Sequence, residues 1–362
     1  MRQMIDPNNS SPKYHQLKEF LKKQILNGDL LPGEKLTSEN ALTRQFKLSR
    51  HTVRQALGEL ENEGFIYREK GRGTFCSSSG KSAVQSIAVL TTYISDYIFP
   101  SIIRGIEEVL SNNGYNLILA NTNNDKTKEA QCLENFLNQE IGALIIEPAK
   151  SALENSNLDY YKELEAQGIP YLMLHAYYPD LDPAYIIMDD TQGACLATNH
   201  LLQLGHRRVA GLFKNDDQQG VGRQTGFLFA LKEYGIPENP DWLGNFTTEQ
   251  LRSFPYQFIS NLLQKENRPT AIVCYNDQVA LEVLEAIRNE GLKIPDDISV
   301  ISFDDSSLAT ATEIKLTTIR HPKAEMGRRI GDNIIQMLTG RIEKPRIIYP
   351  SELIVRSSCR NI

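Results

Sequence analysis

The chain has 362 residues, of which 41% are hydrophobic and 23% charged, and a net charge of −6. That is more than one ordinary domain and enough apolar material for two or three cores, yet no run of about 18 apolar residues could span a membrane, and MRQMIDPNNSSPKYHQLKEF lacks the apolar stretch of a secretory signal. The charge is uneven: residues 1–76 hold 13 Lys/Arg against 9 Asp/Glu, so a head of +4 precedes a body of −10, and only the head suits a polyanion.

In chain order, Tyr14, Leu17, Leu21 and Ile25 recur at helical spacing, and Asn27-Gly28 end that helix. LLPGEKL reads as a turn at Pro32-Gly33. Ser38 opens a second helix with Ala41, Leu42 and Phe46 on one face. After Lys47-Leu48, Ser49 is a natural N-cap for a third helix whose buried stripe is Val53, Ala56, Leu57 and Leu60. Its other face carries Arg50, His51, Thr52, Arg54 and Gln55. In a helix-turn-helix this helix start enters the major groove, where Arg can grip guanine and the polar neighbours reach phosphate or base edges. A solvated polar face would look the same taken alone. The next segment favours DNA: Gly64 ends the helix, and Phe65 to Phe75 reads as two short strands around a basic glycine turn. Such a hairpin is a wing, with Lys70, Arg72 and Thr74 placed for phosphate or the minor groove.

The run LPGEKLTSENALTRQFKLSRHTVRQALGELENEGFIYREKGRGTF resembles the GntR-type winged helix over residues 13–76. Thr37-Ser38 stands where that family usually has Pro-Ser. The resemblance implies DNA contacts from Arg50, Thr52 and Arg54, support from Glu39 and His51, and wing contacts from Arg72 and Gly73. The head is therefore taken as residues 1–76, with the small polar segment 77–85 as a linker.

From residue 86 to 362 apolar strands alternate with helical patterns: Ile87–Leu90, Leu117–Ala120, Ala143–Ile146, Tyr171–Leu174, Val209–Phe213, Ala271–Cys274, Ile298–Ile301 and Leu316–Arg320. Such βα repeats predict an α/β fold of parallel, Rossmann-like sheets, and their number predicts two lobes. Ligands of such folds bind beyond the carboxyl ends of the strands. Those ends carry Tyr93, Tyr97, Glu147, His175, Arg223, Asn276, Asp304 and His321. Carboxylates, amides, a guanidinium and aromatic rings together suit a small polyol, although each residue singly could be a turn or cap.

GHRRVAGL, YNDQVA and IPDDISVISFDD resemble the LacI/GalR-type effector domain, a type I periplasmic-binding-protein-like fold. By position the resemblance implies ligand contacts from Asp96, Phe99, Arg223, Phe246, Asn276, Asp304 and His321. Tyr93, Tyr97, Glu147 and His175 are added by their own chemistry. A GntR-type head on this body, with TTYISDYIFPSIIRGIE, is similar to the Gram-positive repressors of arabinose operons. That implies L-arabinose as effector, a homodimer on pseudo-palindromic double-stranded operator DNA, and repression relieved by sugar.

Three alternatives stand beside this reading: an extracytoplasmic sugar-binding protein, an enzyme with a pyridoxal-phosphate body, and a regulator whose ligand, such as a purine, is a co-repressor. No catalytic motif, cofactor site or metal site is predicted. The five cysteines are widely spaced without a CxxC pair, as reduced thiols in a cytoplasm would be.

Overall fold

The computed structural model describes residues 12–26, 29–31, 33–69, 72–77, 86–94 and 97–362. Contacts divide the chain into two units, Met1–Gln85 and Ser86–Ile362.

The first unit comprises α1 (Lys13–Leu26), α2 (Glu39–Phe46), α3 (Arg50–Asn62), β1 (Ile66–Glu69) and β2 (Gly73–Cys76). Ser38 and Ser49 cap α2 and α3, accepting from the backbone N–H of Ala41 and Thr52. Lys47, in left-handed backbone at φ 52°, turns the chain between these helices. Leu17, Leu21, Leu42, Val53, Leu57 and Leu60 close one core beneath the antiparallel pair β1–β2. Residues 33–36 form a third run along β2, through Leu36 N–H to Thr74 and Cys76 N–H to Glu34, where the sequence pattern predicted only a turn. In the segment read as a linker, Ser77 still donates its N–H to Phe65, and the remainder lies outside the described residues.

In the second unit, β3 (Ser86–Thr91), α4 (Phe99–Asn112), β4 (Asn116–Asn121), α5 (Lys126–Leu137), β5 (Ala143–Ile146), α6 (Leu158–Ala166), β6 (Tyr171–Leu174) and β7 (Ala184–Met188) build one lobe. The chain then forms α7 (Asp190–Gln203), β8 (Val209–Lys214), α8 (Gln218–Glu233), β9 (Leu243–Phe246), α9 (Phe254–Leu263), β10 (Ala271–Cys274), α10 (Asp277–Asn289), β11 (Ser299–Asp304), α11 (Leu308–Ala311) and β12 (Thr317–Arg320). It returns to the first lobe with α12 (Lys323–Leu338) and β13 (Arg346–Tyr349), and ends its sheets with β14 (Leu353–Ile354) in the second. The sheet orders are β13-β7-β6-β5-β3-β4 and β14-β12-β11-β10-β8-β9, parallel except for β14.

Period-two alternation feeds a core on each face of each sheet. Ile87 and Val89 face α4 and α12, whereas Ala88 and Leu90 face α5 and α6. Ile272 and Cys274 face α9 and α10, whereas Ala271 and Val273 face α7 and α8. A Cβ on Gly327 would lie 2.2 Å from the Ile102 carbonyl, so glycine is what lets α12 seat against α4. The four strands absent from the sequence reading are β7, β9, β13 and β14. Three segments cross between lobes: after β7, after β12 and after β13. No helix among the described residues is long and apolar enough to cross a membrane.

Candidate functional site

On the head, α3 presents Arg50, His51, Arg54 and Gln55 exposed and Thr52 half-buried. The Thr52 hydroxyl lies 2.8 Å from the capping Ser49 hydroxyl, and Arg54 Nε donates to Glu39 Oε2 at 2.9 Å. Glu39 thus aims a side chain of α3 from the start of α2. On the wing, Arg72 is exposed beside Glu69, and Gly73 holds φ 128° against the Lys35 side chain. Lys70 lies outside the described residues. Three other cations of the head are tied to acids: Lys18 and Lys22 to Glu63, and Arg68 to Glu61. Arg50, at the start of α3, has no ion pair among the described residues.

In the body, strand ends of both lobes enclose a cavity of about 370 Å³. Tyr93, Tyr97, Phe99, Glu147 and His175 line it from the first lobe, Arg223, Asn276 and Asp304 from the second, and His321 from a crossover. Backbone at positive φ presents Tyr97 (69°), His175 (62°) and Asp304 (94°), a conformation that costs about 1 kcal/mol or more each and concentrates at functional sites.

Arg223 is held on every side. Its Nε donates to Asp190 at 2.8 Å, its Nη1 to the Tyr275 carbonyl at 2.6 Å and its Nη2 to Asp304 at 3.3 Å. Its guanidinium lies 4.5 Å from the Phe303 ring centre and 5.0 Å from that of Tyr275. Burial pushes the Asp190 carboxyl up to about 6 against the pull of Arg223. Lys214 is likewise buried but is held above the ordinary lysine range by Asp217 and Asp216; the Tyr275 hydroxyl shares the same Asp217 oxygen. Across the cavity, Glu147 accepts the Thr92 N–H and hydroxyl and meets His175 Nδ1 at 2.8 Å. His175 Nε2 meets His321 Nε2 at 3.0 Å. Burial, then the neighbouring His175, holds His321 well below the usual histidine range.

The lobes are clasped at the rim. Lys150 meets Glu249 at 2.6 Å, Asn124 donates to Thr248 at 2.6 Å, and Gln218 donates to the Tyr177 carbonyl at 2.7 Å. The Tyr97 hydroxyl donates to the Phe303 carbonyl and accepts the Asp277 N–H.

Residues 13–76 match the bacterial regulatory proteins of the gntR family, and residues 198–359 match the periplasmic binding protein-like domain. Over 358 residues the chain is 50% identical to the arabinose metabolism transcriptional repressor of Geobacillus stearothermophilus, an alignment covering 97% of this chain and 98% of that one. The chain belongs to the arabinose metabolism transcriptional repressors. The Halalkalibacterium halodurans member is 45% identical over 360 residues, 96% of each chain. A LacI family transcriptional regulator from Enterococcus faecium, solved with bound ribose, shares the fold at a TM-score of 0.66 and 27% identity, across 76% of this chain and 99% of that one. The protein is a sugar-responsive DNA-binding repressor with a gntR-type head and a two-lobed Rossmann-like body, as the sequence reading expected.

Within this repressor the expected ligand residues do not all gather. Phe246 does not line the cavity: it ends β9, fully buried in the core of the second lobe against Phe254 and Tyr275. The alternation of β9, unseen in the sequence, points that ring inward. Asp96 lies outside the described residues. Asn276 lines the cavity but also caps α10, accepting from the Val279 N–H at 2.9 Å, so the ligand and capping readings both describe it. The sequence reading missed Asp190, Lys214, Asp217 and Gln219. Lys214 and Asp217 were legible as the polar end of β8, whereas Asp190 follows β7, a strand that gave no clear pattern.

Proposed function

We propose that the repressor's effector is L-arabinose, that it binds between the lobes, and that its binding releases the protein from operator DNA. The observation that carries this reading is that two residues lining the cavity, Gln219 and His321, each hold a buried polar atom, Oε1 and Nδ1, with no hydrogen-bond partner among the described residues. A buried acceptor without a donor costs about 1–3 kcal/mol, which a ligand hydroxyl would recover. Arg223 and Asp304 line the same cavity with a fixed donor and acceptor, Tyr93, Tyr97 and Phe99 offer ring faces, and relatives at 50% and 45% identity are named for arabinose metabolism.

On the head, Arg50, Thr52, Arg54 and Gln55 read the major groove, with Glu39 and His51 in support. Lys70, Arg72 and Gly73 approach the backbone or minor groove. Two copies in a homodimer match two half-sites of a pseudo-palindrome. Sugar favours the clasped lobes, and that state grips DNA less well.

Calorimetric titration of a panel of pentoses and hexoses, with and without operator duplex, tests this. L-arabinose binds most tightly, and operator weakens it by the factor by which it weakens operator. Operator that tightens sugar binding would make the ligand a co-repressor and overturn the mechanism. The Asp304→Ala variant keeps operator affinity and ignores the sugar; normal release from it would remove Asp304 from the site.

A further inference from the structure

We propose that Glu147 and His175 are positioning residues that fix His321 as a hydrogen-bond acceptor, so that the site demands a hydroxyl donor at that point. The inference deepens the effector reading and rests on it. It comes from the chain of contacts running Thr92, Glu147, His175, His321.

As a carboxylate, Glu147 can only accept. Its Oε2 already receives the Thr92 N–H and hydroxyl, so its Oε1, 2.8 Å from His175 Nδ1, requires a proton on that nitrogen. If that is the only proton on the ring, His175 Nε2 is bare. That nitrogen lies 3.0 Å from His321 Nε2, and two bare nitrogens there would repel, so His321 Nε2 carries the proton and donates. The lone pair of His321 is left on Nδ1, a buried atom without a partner among the described residues, in a side chain that lines the cavity. With both rings neutral, no other assignment satisfies the three contacts. Burial, then the neighbouring His175, Lys323 and Arg223, all hold His321 low and favour its neutral form.

Two further observations show that the relay is built. His175 holds left-handed backbone at φ 62°, fixed by its N–H to the Ile186 carbonyl. His321 occupies the crossover after β12 and reaches back across the lobes to a residue 146 positions earlier. A glutamine at position 321 could turn either its oxygen or its nitrogen to the ligand, but a tautomer locked from behind cannot. The consequence is discrimination: a ligand hydroxyl is accepted, whereas a group that only accepts, such as a carboxylate or ether oxygen, is refused.

The test is a long-range ¹H–¹⁵N correlation spectrum of the full chain labelled at histidine, with and without L-arabinose. His321 is assigned by the signal lost in the His321→Asn variant. Wild type shows His321 protonated at Nε2 and bare at Nδ1 in both states. In Glu147→Gln the carboxamide oxygen stays on Thr92 and its NH₂ faces His175, which reverses the relay; His321 becomes protonated at Nδ1 and L-arabinose affinity falls roughly 10- to 100-fold. His321→Asn keeps an acceptor oxygen near the Nδ1 position, and adding Glu147→Gln to it changes affinity by less than about 3-fold, because the two residues act as a unit. A wild-type His321 protonated at Nδ1 overturns the proposal, as does a Glu147→Gln loss that persists in full in the His321→Asn background. If wild type binds no L-arabinose, the effector reading fails and the spectrum alone still decides the relay.

Discussion

Arginine is used in opposite ways in the two units. Arg54 and Arg72 of the head keep 68% and 75% of their side chains in solvent, each tethered by one carboxylate, whereas Arg223 of the body keeps 6% and is gripped by two carboxylates, a carbonyl and two rings. An exposed guanidinium spends little to fold and is available to a polyanion through long-range, salt-screened attraction. A buried one must be neutralised by its surroundings, and what it then offers a ligand is geometry. The contrast fits an acidic protein that binds DNA: exposed cations sit on the head, and the Arg223–carboxylate cluster is sequestered in the body.

The sharpest break of this contrast is Arg223→Ala. It strands Asp190 and Asp304 in the interior, and is expected to cost about 3–5 kcal/mol in denaturant unfolding of the body and to abolish the sugar response. Arg54→Ala, the matching truncation in the head, is expected to weaken operator binding by about 1–3 kcal/mol in fluorescence anisotropy while unfolding shifts by no more than about 0.5 kcal/mol. Equal stability losses from the two would erase the distinction.

A pH experiment sharpens it further. His321 is held neutral in the fold, so below about pH 6.5 the unfolded chain takes up a proton that the folded one refuses. Its contribution is complete above that pH and is lost on acidification, with a slope approaching about 1.4 kcal/mol per pH unit. Asp190 and Asp277, both raised by burial to about 6, act with the opposite sign: they bind protons in the fold between about pH 4 and 6 and add stability as pH falls through that window. The difference between wild type and His321→Gln, followed by unfolding at each pH from 7 to 5.5, isolates the histidine; curves that stay parallel contradict its burial as a neutral ring. The smallest effect belongs to the rim pair. Glu249 is mostly exposed, so Lys150→Ala is expected to lower L-arabinose affinity by only about 0.2–1 kcal/mol, with operator affinity in the sugar-free state unchanged.

The head was legible almost residue by residue because its signals are short-range. Ser38 and Ser49 cap the helices they precede, and Val53, Ala56, Leu57 and Leu60 share one buried stripe. In the body the central strands were legible as continuous apolar runs, since a strand covered on both faces has no polar side. The missed strands β9, β13 and β14 lie at or beside sheet edges, and β7 alternates buried and half-buried positions; their patterns resemble those of loops. The errors at the site follow from that: without β9 the ring of Phe246 was aimed at the ligand, and without β7 Asp190 was passed over.

By itself, then, the sequence determined which helices and central strands form, where the charge lies, and that polar groups follow the strand ends, because caps, periodicity and burial pattern act over a few residues. Tertiary structure alone decided which of those polar groups meet. Asp190 and Asp304 close on Arg223, and His175 reaches His321, only because strands and crossovers far apart in the chain share two sheets; no local pattern encodes a contact spanning 146 residues.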